Sequence, residues 1–214
     1  MVNNISKSPK FHKRDPDYKK AKKEGYRARS AYKLLDIQKK FNIFKRAFYI
    51  LDIGSTPGSW LQVAKKFAQE NLEKYNDKHY HRDHFKIMGV DTKKITPIEN
   101  IKIVKMDATL PEFQEELVSY FHDKLDLILS DASIQKSGNK FSDQARQSNL
   151  CHKILNLAKR NLKFKGYFVV KVFQGQDFNL FLKTIKKSLY VKSYKPKSSR
   201  KGSNEIYLIG QKKK

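Results

Sequence analysis

The chain has 214 residues, a length that suits one α/β domain with a buried sheet and is short for two. Its 46 lysines and arginines outnumber its 21 aspartates and glutamates, and the formal charge of +25 predicts a polyanionic partner, RNA or DNA. No apolar run approaches the roughly 18 residues of a membrane-spanning helix, so we expect a soluble protein with no membrane partner.

The first residues are basic and polar and lack the apolar core of a secretory signal. We expect residues 1–25 to form a flexible basic arm and residues 26–214 to form a single folded domain. Cys151 is the sole cysteine, which excludes an intrachain disulfide and fits a reducing compartment. We interpret it as a buried, inert thiol. The expected location is intracellular, with the cytoplasm favoured and a nuclear or organellar location left open.

A helical pattern begins near Tyr18 and continues to Phe41. Ser30 is in position to cap a helix over residues 31–40, and Lys33 would then lie in the first turn. A cation at this end of a helix opposes the helix dipole, so Lys33 is either simply exposed or held there for a purpose. From its position in the helix alone, we expect the Lys33 side chain to be exposed.

The turn Asp52-Ile-Gly-Ser-Thr-Pro-Gly-Ser-Trp60 joins a predicted strand, 48–53, to a predicted helix, 58–70. This order indicates the first β-α unit of a nucleotide-binding α/β sheet. Gly54 and Gly58 allow the backbone to turn sharply and to approach a ligand closely. The spacing departs from the dinucleotide motif, and the proline removes an N–H that a phosphate would use. An uncharged or cationic adenosyl ligand therefore fits better than a pyrophosphate.

The polar insertion from Asn71 to Phe85 contains four side chains that could bind a metal, His79, His81, Asp83 and His84. No cysteine lies nearby, and nothing in the spacing indicates that the four converge. We therefore interpret the insertion as a solvated loop and predict no metal site.

Six further strands are predicted at 86–91, 101–104, 125–130, 166–173, 190–194 and 205–210, with intervening helices at 111–122, 144–161 and from about 177 to 188. Four carboxylates at strand ends, Asp52, Asp91, Asp107 and Asp131, are therefore expected at the edge where parallel sheets bind ligands. Asp91 is placed to accept hydrogen bonds from ribose hydroxyls, and Asp107 could accept from an adenine amino group.

Lys171 lies in the middle of the most apolar predicted strand. A charged lysine is costly to bury unless it is paired or deprotonated, so this residue requires an explanation. The loop Lys195-Pro-Lys-Ser-Ser-Arg-Lys-Gly202 is basic, and we interpret it as a phosphate contact surface rather than a solvated linker.

Taken together, the chain resembles the FtsJ/RrmJ family of RNA ribose 2′-O-methyltransferases from about Asp15 to Gly210. The resemblance is carried by Glu24-Gly-Tyr-Arg-Ala-Arg-Ser-Ala-Tyr-Lys-Leu34, Asp52 to Trp60, Leu129-Ser-Asp131, Val169-Val-Lys-Val-Phe-Gln-Gly175, Lys195-Pro-Lys-Ser-Ser-Arg200 and Glu205-Ile-Tyr207. It implies an α/β architecture, the Rossmann-like methyltransferase fold, whose mostly parallel seven-stranded sheet has helices on both faces. It also implies S-adenosylmethionine as the cofactor.

The resemblance implies a Lys-Asp-Lys-Glu catalytic set, carried here by Lys33, Asp131, Lys171 and Glu205. The implied cofactor-binding residues are Gly58, Trp60, Asp91, Asp107 and Asp131. We expect Gly54, Pro57 and Ser59 of the same turn to contact the cofactor as well. Two positions depart from the family pattern. Ser59 replaces the second glycine of Pro-Gly-Gly-Trp and demands more room, and Asp131-Ala-Ser-Ile134 replaces Asp-Met-Ala-Pro. Both departures concern the geometry of the loops more than the chemistry.

Methyl transfer to a ribose requires the 2′-oxygen to be aimed at the methyl group and relieved of its proton. We expect Lys171 to accept or orient that proton, with Asp131 holding the lysine. Lys33 would bind near the target ribose or phosphate, and Glu205 would pair with a lysine. RNA would approach over the lysines and arginines of residues 10–29 and 195–201.

The favoured function is 2′-O-methylation of large-subunit ribosomal RNA, naked or within a ribosomal particle, by a monomeric enzyme. A tRNA anticodon-loop methyltransferase is the nearest alternative, because Arg27-Ala-Arg-Ser-Ala31 also resembles that branch. A non-catalytic RNA-binding ribosome-assembly factor is an alternative from another class. A nicotinamide-dependent oxidoreductase is remote, given the loop spacing and the charge. The sequence does not determine which nucleotide is modified.

Overall fold

The computed structural model describes residues 15–75, 83–175, 177–200 and 202–214. The helices are α1 Pro16–Lys23, α2 Ala31–Phe41, α3 Ser59–Lys74, α4 Pro111–Phe121, α5 Lys140–Asn161 and α6 Phe178–Lys186. The strands are β1 Tyr49–Ile53, β2 Lys86–Asp91, β3 Lys102–Lys105, β4 Leu125–Ser130, β5 Leu162–Phe173, β6 Leu189–Tyr194 and β7 Glu205–Lys212. Within these ranges, no helix combines the length and the apolar character needed to cross a bilayer.

The seven strands form one sheet in the order β3-β2-β1-β4-β5-β7-β6. The first five strands in this order pair in parallel, and β7 runs antiparallel to both β5 and β6. The predicted fold, an α/β fold with a mostly parallel seven-stranded sheet, is therefore confirmed. The parallel strands all end at one edge of the sheet, which we call the carboxyl edge.

The sheet has a hydrophobic core on each face, because neighbouring residues of a strand point to opposite sides. On β5, Val170 belongs to the core beneath α4, α5 and α6, whereas Val169 belongs to the core beneath α2 and α3. Burial of both faces explains why the central strands are continuous apolar runs rather than alternating ones.

The helical pattern of residues 18–41 forms two helices, separated near Gly25, whose φ is 78°. The predicted Ser30 cap is wrong: the Ser30 hydroxyl forms no capping hydrogen bond and instead lies 2.8 Å from Ser59 Oγ. Helix α5 begins four residues earlier than predicted, at Lys140, because the Asn139 side chain accepts a hydrogen bond from the Ser142 amide. β5 likewise begins four residues early, at Leu162.

Helix α1 lies within the segment predicted as a basic arm. Its Ala21 is buried, and Arg29 forms ion pairs with Asp15 and Asp17 at the helix start. These contacts attach α1 to the segment that leads into α2. Residues 1–14 of the predicted arm, together with His79 and His81 of the polar insertion, lie outside the described residues.

Candidate functional site

Lys171 and Asp131 come together at the carboxyl edge, where β4 and β5 are neighbours. Lys171 Nζ donates a 2.6 Å hydrogen bond to the backbone carbonyl of Asp131 and lies 3.1 Å from its Oδ1. Lys171 is almost fully buried, so this pairing is what makes its charge tolerable in an apolar strand. Two contacts to one residue also fix the position of the ammonium group.

Tyr207 supports the same carboxylate from the neighbouring strand. It pairs with Lys171 across the antiparallel β5-β7 ladder, and its hydroxyl donates a 2.7 Å hydrogen bond to Asp131 Oδ1. Burial raises the pKa of Tyr207 well above its usual value, and the charges of Asp131 and Glu205 add to this rise. The phenol therefore remains a hydrogen-bond donor across the physiological range. No role was predicted for Tyr207 from the sequence, although it lies two residues after Glu205 and thus on the same strand face.

Lys33 and Glu205 form a second ion pair beside the first. Lys33 Nζ lies 2.6 Å from Glu205 Oε1, with the two side chains only 15% and 13% exposed. The ammonium also lies 5.9 Å from the centre of the Tyr207 ring. Tyr207 therefore links the two pairs, contacting Asp131 with its hydroxyl and Lys33 with its ring. The exposure that helix position alone favoured for Lys33 is wrong, because α2 directs this side chain to β7.

Gly54 allows the first turn to pack closely against the end of β4. Its φ is 77°, its amide donates to the Val90 carbonyl at 2.9 Å, and an added Cβ would lie 2.6 Å from Ala132 Cα. A side chain at this position would collide with backbone atoms and would also strain the turn. The glycine is thus required for the approach of β4 to the turn.

Gly58, immediately before α3, is enclosed by Arg27. Its φ is 107°, and an added Cβ would lie 2.7 Å from Arg27 Nη1. The Arg27 guanidinium donates to the carbonyls of Pro57, Thr96 and Pro97 at 3.2, 2.6 and 2.8 Å. Arg27, which we expected among the RNA-guiding residues, therefore joins the turn to the β2-β3 loop. This contact was not predicted, because the sequence of a basic segment does not show which of its side chains pack against the folded domain and which remain exposed.

Ser59 and Trp60 are both buried and both contact Ser30. The two serine hydroxyls lie 2.8 Å apart, and Trp60 Nε1 donates to the Ser30 carbonyl at 2.8 Å. The Trp60 ring lies 5.8 Å from that of Tyr207. The side chain of Ser59 is thus accommodated against the chain entering α2. The cofactor contacts implied for these two residues stay predictions.

Asp91 and Asp107 follow neighbouring strands but have different surroundings. The Asp91 carboxylate accepts from the Thr56 amide at 3.0 Å and from the Lys93 amide at 2.9 Å, so it connects the first turn to β2. Asp107 is exposed, and its carboxylate accepts only from the Thr109 amide among the described residues, at 2.8 Å. Asp107 therefore has accepting capacity left for a ligand.

Asp52 differs from the expectation that it lies at the open edge with the other three carboxylates. It is fully buried within β1, aligned with Gly89 and Leu129 of the flanking strands. Within the part of the chain that the structure describes, neither oxygen of its carboxylate has a hydrogen-bond partner. Burial raises the pKa of Asp52 well above its usual value, and the nearby charges of Asp131 and Asp91 raise it further.

The basic loop between β6 and β7 is attached to α2 through Ser198. The Ser198 amide and hydroxyl donate to Asp36 Oδ2 at 3.0 and 2.9 Å, and the Ser198 carbonyl accepts from Arg29 at 2.7 Å. Arg29 and Asp36 flank Lys33, which binds Glu205 at the other end of the loop. The segment that carries the predicted phosphate contacts is thus held beside the Lys33–Glu205 pair.

Two further predictions concern the Cys151 thiol and a possible metal site. Cys151 is buried as predicted, and burial raises the pKa of its thiol to about 11, so it is protonated at neutral pH. Among the residues with described positions, no group of three or more histidine, cysteine, aspartate or glutamate side chains could hold a metal. His84 Nδ1 lies 2.6 Å from Asp83 Oδ1 within the polar insertion.

A sequence model described as FtsJ-like methyltransferase matches residues 26–213. The chain is 40% identical over 200 residues to the ribosomal RNA large subunit methyltransferase E of Methanothrix thermoacetophila, covering 93% of this chain and 72% of that protein. Its identity to the Methanobrevibacter smithii protein of the same name is 39% over 202 residues, covering 92% and 90%. A Plasmodium falciparum crystal structure, described as a ribosomal RNA methyltransferase, is 29% identical with a TM-score of 0.71 and covers 87% of this chain and 98% of that one.

Proposed function

Because this chain belongs to the FtsJ-like methyltransferase family, we propose that it methylates the 2′-hydroxyl of a ribose in large-subunit ribosomal RNA. The observation that carries the proposal is the set of contacts that joins Lys33, Glu205, Tyr207, Asp131 and Lys171 at the carboxyl edge. The names of the two relatives support ribosomal RNA as the substrate. The charge of +25 supports a nucleic-acid partner.

S-adenosylmethionine is the methyl donor, and its chemistry suits the carboxyl edge. The cofactor carries a sulfonium and an ammonium group, and when bound it supplies the electrophilic methyl group. The negative charges of Asp91 and Asp131 raise the pKa of Asp52, which means that the three carboxyl groups lie close together. Such a group of carboxylates favours a bound cation. Its predicted ligands are the glycine turn with Asp91, Asp107 and Asp131.

We propose that Lys171 orients the ribose hydroxyl and, as the neutral amine, takes up its proton to become the ammonium. Nζ donates a hydrogen bond to the Asp131 carbonyl and lies beside the Asp131 carboxylate, so a direction around the nitrogen is left for the substrate hydroxyl, where the neutral amine carries the lone pair that accepts the proton. The Asp131 carboxylate cannot swing away because Tyr207 holds the same oxygen. This arrangement provides the positioning that a displacement at the ribose oxygen requires.

Lys33 lies at the same edge but has a carboxylate partner, so we assign it a binding role. The Lys33–Glu205 pair is mostly buried, which keeps the Lys33 side chain in one place beside the approaching RNA strand. A fixed cation of this kind can bind a ribose oxygen or the adjacent phosphate. Glu205 is then the residue that positions Lys33.

The experiment compares the wild type with Lys171→Ala and with Lys192→Ala, an exposed lysine of β6 that serves as the matched control. Undermethylated large ribosomal subunits and their extracted RNA receive a tritiated methyl group, and the RNA is then hydrolysed with alkali. Label in alkali-resistant dinucleotides identifies ribose methylation. We expect Lys171→Ala to lose about a hundredfold or more in kcat while calorimetry gives an unchanged cofactor Kd. A parental rate for Lys171→Ala, or label only in mononucleotides, would overturn the proposal.

The choice of RNA is tested by offering ribosomal RNA and tRNA side by side to the same enzyme. We expect labelled dinucleotides from ribosomal RNA only, whereas label in tRNA would favour the anticodon-loop alternative. Failure to bind S-adenosylmethionine would favour an assembly factor without activity. We also propose that residues 26–214 are one domain, which the continuous sheet and the match over residues 26–213 support.

A further inference from the structure

A cavity of about 600 Å³ opens at the carboxyl edge, where β4 and β5 end. Val172 and Phe173, which directly follow Lys171, contribute to its wall, as does Ser133, two residues after Asp131. Cys151 lines the cavity as well, and its thiol donates a 3.5 Å hydrogen bond to the Lys171 carbonyl. Val172 belongs to the core beneath α4, α5 and α6, whereas Lys171 pairs with Tyr207 and faces the core beneath α2 and α3. The cavity therefore opens on the other face of the sheet from the Lys171 side chain, next to the same strand ends, and the proposed methylation does not use it.

The lining of the cavity combines aromatic rings with amides, two lysines and two aspartates. Its rings are Phe173, Phe178 and Phe181. The other lining residues of these kinds are Gln144, Gln174, Asn204, Lys136, Lys140, Asp143 and Asp177. Rings offer a surface for stacking, and an amide presents a donor and an acceptor side by side. This is a lining suited to a flat heterocycle with polar edges.

The amides are available to a ligand. In the described ranges, the side chains of Gln144, Gln174 and Asn204 form no hydrogen bond. Gln147, deeper in the wall, instead accepts from Ile134 N and donates to the Ala132 carbonyl. The Gln144 amide rests on the backbone of Gly175, where an added Cβ would lie 2.1 Å from Nε2. Gln144 is therefore positioned by the wall without a hydrogen bond that a ligand would have to break.

We infer that this cavity binds a nucleobase of the target RNA strand, from the methylated nucleotide or its immediate neighbour. The inference rests on the proposed function, which places the ribose at Lys171. The volume is that of a small-molecule site, and unpaired RNA bases are commonly stacked on aromatic side chains and read along their polar edges. Lys136 and Lys140 would then contact the flanking phosphates. The base in the cavity holds the strand so that its 2′-hydroxyl stays at Lys171.

The test fills the cavity without changing the catalytic set. Ser148 lines the cavity from α5, whereas the next residue, Asn149, is exposed on the same helix and does not line it. Ser148→Phe therefore blocks the base, and Asn149→Phe is the matched control with the same new side chain. We expect Ser148→Phe to raise the KM for undermethylated large-subunit RNA by about tenfold or more, the loss that one stacked base brings. The Kd for S-adenosylmethionine should stay unchanged in both variants.

A second variant keeps the inference testable if Ser148→Phe does not fold. Gln144→Ala removes one amide from the cavity, with Gln69→Ala on the exposed side of α3 as its control. We expect a raised KM for RNA only in Gln144→Ala. In addition, RNA carrying 4-thiouridine at and beside the methylated nucleotide should crosslink to Phe173 or Phe178, as mapped by mass spectrometry.

The outcomes separate the two proposals. An RNA KM equal to that of the wild type in Ser148→Phe and in Gln144→Ala, while the wild type methylates ribose, overturns the base-binding cavity and leaves the proposed function intact. Crosslinks found only on other surfaces would likewise overturn the base-binding cavity and leave the proposed function intact. A wild type that produces no alkali-resistant labelled dinucleotides overturns the proposed function, and the inference with it.

Discussion

The Tyr207 hydroxyl donates a 2.7 Å hydrogen bond to Asp131 Oδ1, the oxygen that also lies 3.1 Å from Lys171 Nζ. One carboxylate oxygen thus accepts a hydrogen bond from a neutral group of β7 and forms an ion pair with a charged group of β5. Since burial raises the pKa of Tyr207, the phenol does not ionise at physiological pH and cannot add a competing negative charge. The geometry of the Asp131–Lys171 pair therefore depends on a residue that carries no charge itself.

Tyr207→Phe should reduce kcat about tenfold, because a hydrogen bond to a charged group contributes roughly 1.5–3 kcal/mol. The ring and its packing against Trp60 are retained, so the cofactor Kd should change little, while the lost hydrogen bond should lower the free energy of unfolding. Tyr190→Phe, at an exposed position of β6, is the control. Steady-state kinetics across a range of pH values measure the effect. If Tyr207→Phe has the wild-type pH profile and kcat, Tyr207 does not position Asp131.

Lys33 and Glu205 should be energetically coupled. We expect Lys33→Met and Glu205→Gln each to lower the free energy of unfolding, and the double variant to lose less than the sum. Removing one partner leaves the other charge buried and unpaired. The expected coupling is about 1 kcal/mol, since some solvent reaches the pair. Urea unfolding of the four proteins measures it, and strictly additive losses would show that the contact contributes nothing to stability.

Asp36→Ala should loosen the basic loop while leaving the cofactor site unchanged. The variant removes the acceptor for both the amide and the hydroxyl of Ser198, each worth about 1 kcal/mol. We expect faster hydrogen exchange at the Ser198 amide and a raised KM for RNA, with an unchanged Kd for S-adenosylmethionine. Glu70→Ala, an exposed acidic residue of α3, is the control. Unchanged exchange at Ser198 would contradict this anchoring role.

Asp52→Asn should stabilise the protein, and the gain should grow with pH. The pKa of Asp52 is raised in the folded state, so its carboxyl favours folding while protonated and disfavours it once ionised. The wild type is therefore least penalised below the unfolded-state pKa of about 4, and the penalty increases as the pH rises toward the folded-state pKa. Urea unfolding from about pH 4 to 8 tests this sign. A difference that is independent of pH would exclude titration of Asp52 as its cause.

At pH values where Asp52 is ionised, the same substitution should weaken the binding of S-adenosylmethionine, because it removes one of three neighbouring carboxylates that favour a cation. Calorimetry at pH 8 measures the Kd. The stability gain and the affinity loss are independent readouts, so a variant that is merely misfolded is recognised by the first. An unchanged Kd would show that Asp52 does not contribute to cofactor binding.

Sequence patterns predicted secondary structure correctly where residues close together in the chain determine it. The bounds of β2 and β4 were predicted without error, since each is a short apolar run that ends in a carboxylate or hydroxyl residue. The glycines of the first turn were also identified, because positive φ values are most easily adopted by glycine. In contrast, the start of α5 was missed, because a side-chain cap at Asn139 extends the helix into a polar segment that periodicity treats as loop.

The side-chain partners could not be obtained in this way. A serine before a helix is normally read as its cap, yet Ser30 bonds to Ser59, 29 positions away in the chain. Arg27 belongs to a basic segment, yet its guanidinium binds carbonyls 30 to 70 positions away. Tyr207 is one of many aromatic residues in apolar strands. In each case the partner is distant in the sequence, and no local signal identifies it.

The sequence by itself determined the class of fold, the order of strands and helices along the chain, and the residue types available for chemistry. These follow from hydrophobic periodicity, turn residues and charge, which are properties of short segments. Only the tertiary structure decided that Tyr207 links the Lys33–Glu205 and Asp131–Lys171 pairs and that Asp52 is buried. The physical reason is that β7 inserts antiparallel between β5 and β6, and this register brings residues more than 30 positions apart within hydrogen-bonding distance.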